Sequence, residues 1–426
     1  MNARRLGAIL AVIPCGFAGA LLAHCGSSTT TGGAADASAD VPHFGFDSGQ
    51  LGDSSHPALD GTSTLDGTGH MDVASHMDGH VGQMDVGGGG HDTGTHMDTG
   101  GGGHDTGGGG SLFPAGTICN SSGTKLTPPA TVKHVIVILE ENEDFSNVNG
   151  AAPYITALAG GCGSATQYID NTFKENLVSC PHYLALASGS NCNTGVDEAG
   201  GGCITSDGDA SGQTLDTPSI FSQVSSWKAY MESMPSNCDL SSSGLYATKH
   251  NPPAYYSTLT NCSTNDIGIA PVTCDSSAPM TACSSPSNAF TDDIANDTLP
   301  ALSFISPNLD NDMHNGTVTQ GDNWLFTYMP LILASKEYLA GEVAVLVLWD
   351  EQSTSTFGGP IPNLVVSPYI TAGTVVATTM NHFAALRAME NALGITTYLG
   401  CASGSISGGG SCATGSTTDL RAAFNF

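Results

Sequence analysis

The stretch HVIVILEENEDF, residues His134 to Phe145, joins an apolar run directly to a cluster of polar side chains. Its first six residues predict a buried β-strand, because they form a short apolar run rich in β-branched side chains. The strand is followed at once by four acids and one amide: Glu140, Glu141, Asn142, Glu143 and Asp144. So many oxygens at a strand end require a positive partner, which makes this end a candidate ligand site.

The composition leaves few protein cations for that task. The chain of 426 residues has 10 Lys and Arg against 39 Asp and Glu, a formal net charge of -29. Such a chain repels nucleic acid phosphates, which argues against nucleic-acid binding. An acidic protein that acts on phosphate needs a positive charge from outside the chain, and a metal ion is the obvious candidate.

Residues 1–25 predict an export signal. Arg4 and Arg5 form a basic start, residues 6–23 are an apolar run, and Cys25 stands just after it. The pattern resembles a bacterial lipoprotein signal, in which Cys25 becomes the lipidated N-terminus and attaches the protein to a membrane. It predicts an exported bacterial protein that is lipid-anchored in the cell envelope or extracellular. A retained membrane anchor is the weaker alternative, because nothing later in the sequence looks membrane-spanning.

Residues 26–112 are of low complexity and repeat His-Met-Asp and His-Asp-Thr units between glycines. They contain almost no large apolar side chains, so this segment cannot bury enough surface to offset the entropy cost of folding. We expect a disordered stalk that connects the cell envelope to a catalytic domain at residues 113–426. The alternative is that the histidines and aspartates of the stalk collect metal ions.

The expected folded part holds eleven cysteines. In an exported protein most of them should form disulfides, and the odd number leaves one thiol free. Cys192 with Cys203 and Cys401 with Cys412 are plausible local pairs. This part of the sequence contains no Cys-x-x-Cys pair, the spacing that would indicate a zinc site.

Two further apolar runs end like the first. EVAVLVLW is followed by Asp350 and Glu351. ALSFIS leads into a loop that holds Asp312 and His314. Apolar strands followed by helical stretches predict an α/β domain with a central, largely parallel sheet flanked by helices. Ligands bind outside the carboxyl ends of such strands, so these polar side chains should converge at one edge of the sheet.

Three other segments carry candidate polar residues. SCPHYLALASG predicts a helix that starts near Ser179, with Pro181 in its first turn. A hydroxyl there can meet a phosphate bound to free backbone N–H groups, although a plain capping serine is the simpler interpretation. His250 lies in KHNPPAYY, and His382 begins the predicted helix of NHFAALRAMENALGI. Taken singly, each is a surface or capping histidine.

In combination these segments resemble a known family. The blocks VILEENEDFSNV, SCPHYLALASG, KHNPPAYY, SPNLDNDMHNG with GDNWL, LVLWDEQS, and VVSPYI with NHFAALRAMENALGI are similar, in this order, to the motifs of the bacterial and fungal phosphoesterase family. That family contains acid phosphatases and phospholipases C and belongs to the alkaline-phosphatase-like superfamily. The resemblance covers residues 135–395 and implies an alkaline-phosphatase-like domain.

The resemblance also implies roles for individual residues. Ser179 matches the nucleophile. The residues that match positions around the phosphoryl group are His250, Asp312, His314 and His382. The residues that match metal ligands are Glu141, Asn142, Asp350 and Glu351. Asp322, in GDNWL, is a weaker candidate. The chain departs from the family pattern at His182, where Asn is usual, and at Cys180.

The implied chemistry is metal-dependent hydrolysis of a phosphate ester. A divalent cation (Mg, Ca, Mn or Zn) would hold Ser179 as an alkoxide, and a phospho-serine intermediate would then be hydrolysed by water. His314, or else His250, would protonate the leaving alcohol. A phosphomonoesterase of acid phosphatase type is favoured over a phospholipase C or another phosphodiesterase. The third alternative is a non-catalytic surface lipoprotein that binds a ligand.

Overall fold

The structure is a computed structural model that describes residue 113 and residues 118–426, except 174–177, 194–195, 198–202, 354–357 and 407–410. The predicted export signal, Cys25 and the stalk lie outside the described residues. Within the described residues, no helix has the length and apolar character needed to cross a membrane.

The described residues form strands and helices in alternation. The strands are β1 (His134–Glu140), β2 (Gly163–Ala165), β3 (Cys192–Asn193), β4 (Val196–Asp197), β5 (Trp227–Glu232), β6 (Asp266–Ile269), β7 (Leu302–Ser306), β8 (Val343–Trp349), β9 (Asn363–Val366) and β10 (Thr374–Val376). The α-helices are α1 (Phe145–Val148), α2 (Pro153–Gly161), α3 (Ser179–Ser188), α4 (Ile220–Gln223), α5 (Cys262–Asn265), α6 (Ala289–Ala295), α7 (Val318–Leu333), α8 (Lys336–Leu339), α9 (His382–Ala392) and α10 (Leu420–Phe424). Short 3-10 helices lie at Thr248–His250, Pro252–Tyr255 and Gly400–Ser403.

Eight strands form one sheet in the order β10-β2-β9-β8-β1-β7-β5-β6. β9 is antiparallel to both of its neighbours, and the other pairings in this sheet are parallel. The predicted α/β class with a central, largely parallel sheet flanked by helices is therefore confirmed. β3 and β4 form a separate antiparallel pair.

The three apolar runs identified in the sequence lie side by side as β8, β1 and β7. Each is buried along nearly its whole length, which is why it is continuously apolar rather than alternating. In the register of the sheet, Ile138 of β1 lies opposite Ile305 of β7, and Glu140 lies opposite Trp349 of β8. The carboxyl ends of the three strands therefore emerge together.

Two helices present their first residues to that edge. α3 begins at Ser179, as predicted, and ends at Ser188; the next residue, Gly189, caps it with a left-handed φ of 71°. A side chain at Gly189 would place its Cβ 2.5 Å from the Leu399 carbonyl oxygen, so this end of α3 requires glycine. α9 begins at His382, where the Asn381 side chain accepts two backbone N–H groups of the first turn.

Five disulfides connect the described cysteines: Cys119–Cys162, Cys192–Cys203, Cys238–Cys262, Cys274–Cys283 and Cys401–Cys412. Both predicted local pairs are confirmed, and Cys180 is the free thiol among the described residues. Disulfides persist in oxidising compartments, so this number indicates an exported protein.

Candidate active site

The turn after β1 connects the ends of three strands. The Asp350 N–H donates to the Glu140 carbonyl oxygen at 3.1 Å, and the Glu141 N–H donates to the Asp312 carbonyl oxygen at 2.9 Å. Asn142 has a φ of 46°, a left-handed conformation that asparagine tolerates better than most residues. Its N–H donates to Asp350 Oδ1 at 3.0 Å. The loops after β1, β7 and β8 are thus joined by hydrogen bonds.

Ser179 directs its hydroxyl at two carboxylates of this edge. Its Oγ lies 3.0 Å from Glu141 Oε2 and 3.2 Å from Glu351 Oε1. The Asn142 side-chain amide donates to Glu141 Oε2 at 2.8 Å. Ser179 is buried at the first position of α3. The structure therefore brings the predicted nucleophile and the predicted metal ligands together.

The carboxylates of this group perturb one another. Burial, followed by the negative charges of Glu141 and Glu351, raises the pKa of Asp350 well above its usual value. Burial raises the pKa of Glu351 to about 7. Glu141 behaves differently: burial acts to raise its pKa, but the positive charges of His250 and Lys249 outweigh burial and lower it to about 2. Without a bound cation, protons stay on part of this group.

The donor set fits a hard divalent cation. Glu141 and Asp350 are fully buried, and Asp350 Oδ2 has no hydrogen-bond partner among the described residues. Carboxylate and amide oxygens are the ligands that such cations prefer. The ligand atoms of Glu141, Asp350 and Glu351 do not all lie within 4.8 Å of one another. Within the described chain, the one set of three His, Cys, Asp or Glu ligand atoms that all lie within 4.8 Å of one another is Cys238, Cys262 and Asp266. The disulfide between its cysteines excludes that set as a metal centre.

His250 lies between two buried carboxylates. Its Nε2 is 3.0 Å from Glu141 Oε1, and its Nδ1 is 3.1 Å from Asp312 Oδ2. The Tyr183 ring stacks on the imidazole with 5.0 Å between ring centroids. Burial acts to lower the pKa of His250, but the two carboxylates outweigh burial and raise it to about 9. Asp312 also accepts the His314 N–H at 2.8 Å, so His250 and Asp312 together hold the loop after β7.

Lys249 reaches Ser179 from the KHNP block. Its Nζ lies 3.4 Å from Ser179 Oγ, 2.9 Å from Asp207 Oδ2 and 3.1 Å from His314 Nε2. Because an ammonium group has only donors, His314 Nε2 is the acceptor in this contact. The His314 Nδ1–H then donates to Asn315 Oδ1 at 2.9 Å. In this arrangement His314 therefore accepts at Nε2 and donates at Nδ1.

Two further histidines, His382 and His182, lie next to the residues of the carboxylate group. His382 Nε2 donates to the Asp350 carbonyl oxygen at 2.6 Å, and its Nδ1 is 2.9 Å from the Tyr168 hydroxyl. Burial, reinforced by the positive charge of His182, lowers the pKa of His382 to about 4. His182 Nε2 is 3.2 Å from Asp170 Oδ1, and this carboxylate outweighs burial and raises the pKa of His182 to about 9. His382 thus contacts the site through the backbone of Asp350.

The structure also changes which residues belong to the candidate site. Asp322 does not join this group, because its carboxylate accepts two backbone N–H groups, at 2.8 and 3.1 Å, at the start of α2. Lys249, Asp207 and Asp170 do contribute, and the sequence analysis missed all three. Lys249 carried a signal, since it stands in the KHNP block of a chain with only 10 Lys and Arg. Asp207 and Asp170 lie outside the matched blocks and carried none.

Fold and site together define an α/β protein with a serine and a buried carboxylate group at the carboxyl edge of a mostly parallel sheet. A model of the Phosphoesterase family matches residues 164–396, more than half of the chain. The chain belongs to this family, and the predicted enzyme class, a hydrolase acting on phosphoric ester bonds, is confirmed. The match contains Ser179, Asp350 and Glu351 and begins after Glu141 and Asn142.

Relatives with described activities are phosphatases. A phosphatidylinositol-3-phosphatase of Mycobacterium tuberculosis is 28% identical over 271 residues, which cover 62% of this chain and 78% of the relative. A phosphate-repressible acid phosphatase of Penicillium chrysogenum is 28% identical over 205 residues, or 47% of this chain. The chain covers 43% of that fungal relative. Among solved structures, a protein in the alkaline phosphatase superfamily from Vibrio parahaemolyticus aligns with a TM-score of 0.40 at 13% identity, covering 67% of this chain and 74% of that chain.

Proposed function

We propose that this protein is a metal-dependent phosphatase that hydrolyses phosphate monoesters through a phospho-serine intermediate. The supporting observation is the environment of Ser179. Its hydroxyl lies within 3.2 Å of two buried carboxylate oxygens and 3.4 Å from an ammonium group. A nucleophilic oxygen between an anionic, cation-binding group and a fixed positive charge is suited to attack on phosphorus.

Four side chains would hold the cation: Glu141, Asn142, Asp350 and Glu351. When bound, Mg, Ca, Mn or Zn would supply the positive charge that stabilises a serine alkoxide and neutralises the phosphoryl oxygens. Asp350 Oδ2, which has no hydrogen-bond partner in the described part of the chain, and the raised pKa of Asp350 support this assignment, because these buried carboxylates need a cation to be stable as anions.

The reaction would have two steps. Ser179 Oγ attacks phosphorus, its proton passes to the carboxylates that it faces, and the bond from phosphorus to the leaving oxygen breaks. Water then attacks phosphorus and gives one proton to His314, the bond to Ser179 Oγ breaks, Ser179 Oγ takes its proton back from the carboxylates, and phosphate leaves. His382, held between Tyr168 and the Asp350 carbonyl, would keep the strand end in place during both steps.

His314 would give the leaving oxygen its proton. Its ring is only partly buried and lies beside Lys249, next to Ser179, whereas His250 is enclosed between Glu141 and Asp312. The His314 Nε2 lone pair faces the ammonium group, so this nitrogen can carry a proton only after Lys249 has turned to the substrate. His250 remains the second candidate.

Replacing His314 by alanine should therefore lower activity in a way that depends on the leaving group. We expect about a 100-fold loss of kcat with an alkyl phosphate and less than about tenfold with p-nitrophenyl phosphate, whose leaving group needs little protonation. His134→Ala, at the opposite end of β1, is the control. Equal losses on the two substrates would show that His314 binds phosphate instead, and the same comparison on His250→Ala tests its rival.

The relatives support a monoester as the substrate, since they are named as an acid phosphatase and a phosphatidylinositol phosphatase. The test is a panel of p-nitrophenyl phosphate, bis-p-nitrophenyl phosphate, phosphatidylcholine and a phosphoinositide, with and without a chelator. We expect kcat/KM for the monoester to exceed that for the diester by at least about 100-fold. Faster diester hydrolysis would favour the phosphodiesterase alternative, and failure to hydrolyse any of them would favour a binding lipoprotein.

A further inference from the structure

Lys249 differs from the surface lysines of the chain. Its side chain is 18% exposed, whereas Lys133 and Lys336, which also pair with acids, are 66% and 81% exposed. Besides Asp207, its ammonium contacts Ser179 Oγ and His314 Nε2, neither of which is a carboxylate. An ordinary surface ion pair with Asp207 would not bring the ammonium to these atoms.

The backbone on both sides of Lys249 is fixed. The Thr248 N–H donates to Ser242 Oγ at 3.0 Å, and the Asn251 side-chain amide donates to Asp266 Oδ2 and to the Tyr246 hydroxyl, both at 2.8 Å. Thr248, Asn251 and Asp266 are fully buried. Lys249 therefore extends from a fixed backbone segment, and its side-chain contacts place the ammonium beside Ser179 Oγ.

This ammonium has hydrogen-bond donors to offer an incoming anion. Its contact with Ser179 Oγ is long, at 3.4 Å, and its contact with His314 is to a ring nitrogen. A charged phosphoryl oxygen is a stronger acceptor than either of these groups. The phosphoryl oxygen would accept the ammonium N–H groups that now face Ser179 Oγ and His314 Nε2. The N–H group that donates to Asp207 would stay in place.

Building on the proposed function, we propose that Lys249 is a catalytic residue that binds a phosphoryl oxygen and selects phosphate monoesters over diesters. A monoester dianion carries one more negative charge than a diester, and it must approach a group of buried carboxylates in a chain with a net charge of -29. Lys249 supplies a positive charge on the protein that offsets this repulsion. Removing this charge should therefore weaken the binding of a monoester dianion more than that of a diester monoanion.

The first test compares two substrates in three variants. Lys249→Met keeps the length of the side chain and removes its charge, Lys249→Arg keeps the charge, and Lys228→Met is the matched control. Lys228 pairs with Asp293 at 2.5 Å and is 32% exposed. We expect Lys249→Met to lower kcat/KM about 100-fold for p-nitrophenyl phosphate and less than about fivefold for bis-p-nitrophenyl phosphate. Lys249→Arg should recover part of the loss, and Lys228→Met should stay near wild type.

The second test does not need turnover. Titration calorimetry of the full chain with inorganic phosphate should show about 10- to 100-fold weaker binding in Lys249→Met and unchanged binding in Lys228→Met. If the wild-type protein hydrolyses no ester, the proposed function fails, while this measurement still tests Lys249. Phosphate binding within about twofold of wild type, or equal losses on both esters, would overturn the inference. Circular dichroism reports folding, and Lys249→Gln replaces Lys249→Met if that variant does not fold.

Discussion

Replacing Ser179 by alanine should lower kcat/KM for p-nitrophenyl phosphate by at least about 10⁴-fold. The change removes the protein atom that attacks phosphorus in the first step of the proposed mechanism. Ser179 Oγ contacts side chains of three separate segments, but alanine fits the same helical position and favours the helix, so the fold should survive. Circular dichroism and metal analysis should match those of the wild type.

Ser188→Ala is the control for this variant. Ser188 ends the same helix and donates to the Leu184 carbonyl oxygen at 2.8 Å, so it reports the effect of losing a buried hydroxyl without touching the site. Rapid acid quenching of the wild type during turnover should give a phosphorylated peptide that contains Ser179, detected by mass spectrometry. Near-normal turnover by Ser179→Ala would refute the assignment of Ser179 as the nucleophile. Phosphorylation of another residue would assign that role to the other residue.

Removing divalent cations should have an effect of similar size. Dialysis against EDTA should reduce activity by at least about 10³-fold, and adding back one of Mg, Ca, Mn or Zn should restore it. Asp350→Asn should bind this cation weakly and lose at least about 100-fold in activity, because it removes charge from the centre of the group. Glu390→Gln, which alters a buried carboxylate on α9, is the control. Full activity in EDTA would refute metal dependence.

Cation binding should also change how stability depends on pH. In the metal-free protein, Asp350 and Glu351 have raised pKa values, and His250 is raised to about 9. Between about pH 4.5 and 9 the folded state then holds more of these protons than the unfolded chain, so the free energy of unfolding falls as pH rises. Glu141, with a pKa lowered to about 2, opposes this trend only below about pH 4.5.

A bound cation keeps the carboxylates ionised and removes much of this loss. The increase in Tm caused by the cation should therefore be larger at about pH 8 than at about pH 5. Thermal unfolding with and without the cation at both values measures the difference. An increase that is equal at both, or larger in acid, would contradict the assignment of these carboxylates as its ligands.

The sequence was sufficient for several features that depend on neighbouring residues. Continuous apolar runs predicted β1, β7 and β8, because strands covered on both faces need apolar side chains throughout. Pro181 and a following apolar stretch predicted that α3 starts near Ser179. The order of the short blocks was enough for the family, and the odd number of cysteines was enough to predict one free thiol.

Glu140, in the opening stretch, has a position that was not predicted from the sequence. Glu140 looked like part of the oxygen cluster, but it is the last residue of β1 and is fully buried. Neither of its carboxylate oxygens has a hydrogen-bond partner in the described part of the chain, and burial together with Asp312 raises its pKa well above the usual value. The alternation of a strand turns Glu140 and Glu141 to opposite faces, and only Glu141 reaches Ser179.

Tertiary structure alone decided which polar groups meet. Ser179 lies 172 residues from Glu351 and 70 residues from Lys249 in the chain, and Asn142 lies 208 residues from Asp350. Their convergence depends on the strand order β8-β1-β7 and on the path of the KHNP block over α3. The acceptor role of His314 Nε2 follows from the same packing, because its partner is an ammonium group from a distant segment. Local patterns specify an element and its faces, but they do not specify which faces pack together, and the charge state of a side chain depends on the groups that this packing brings to it.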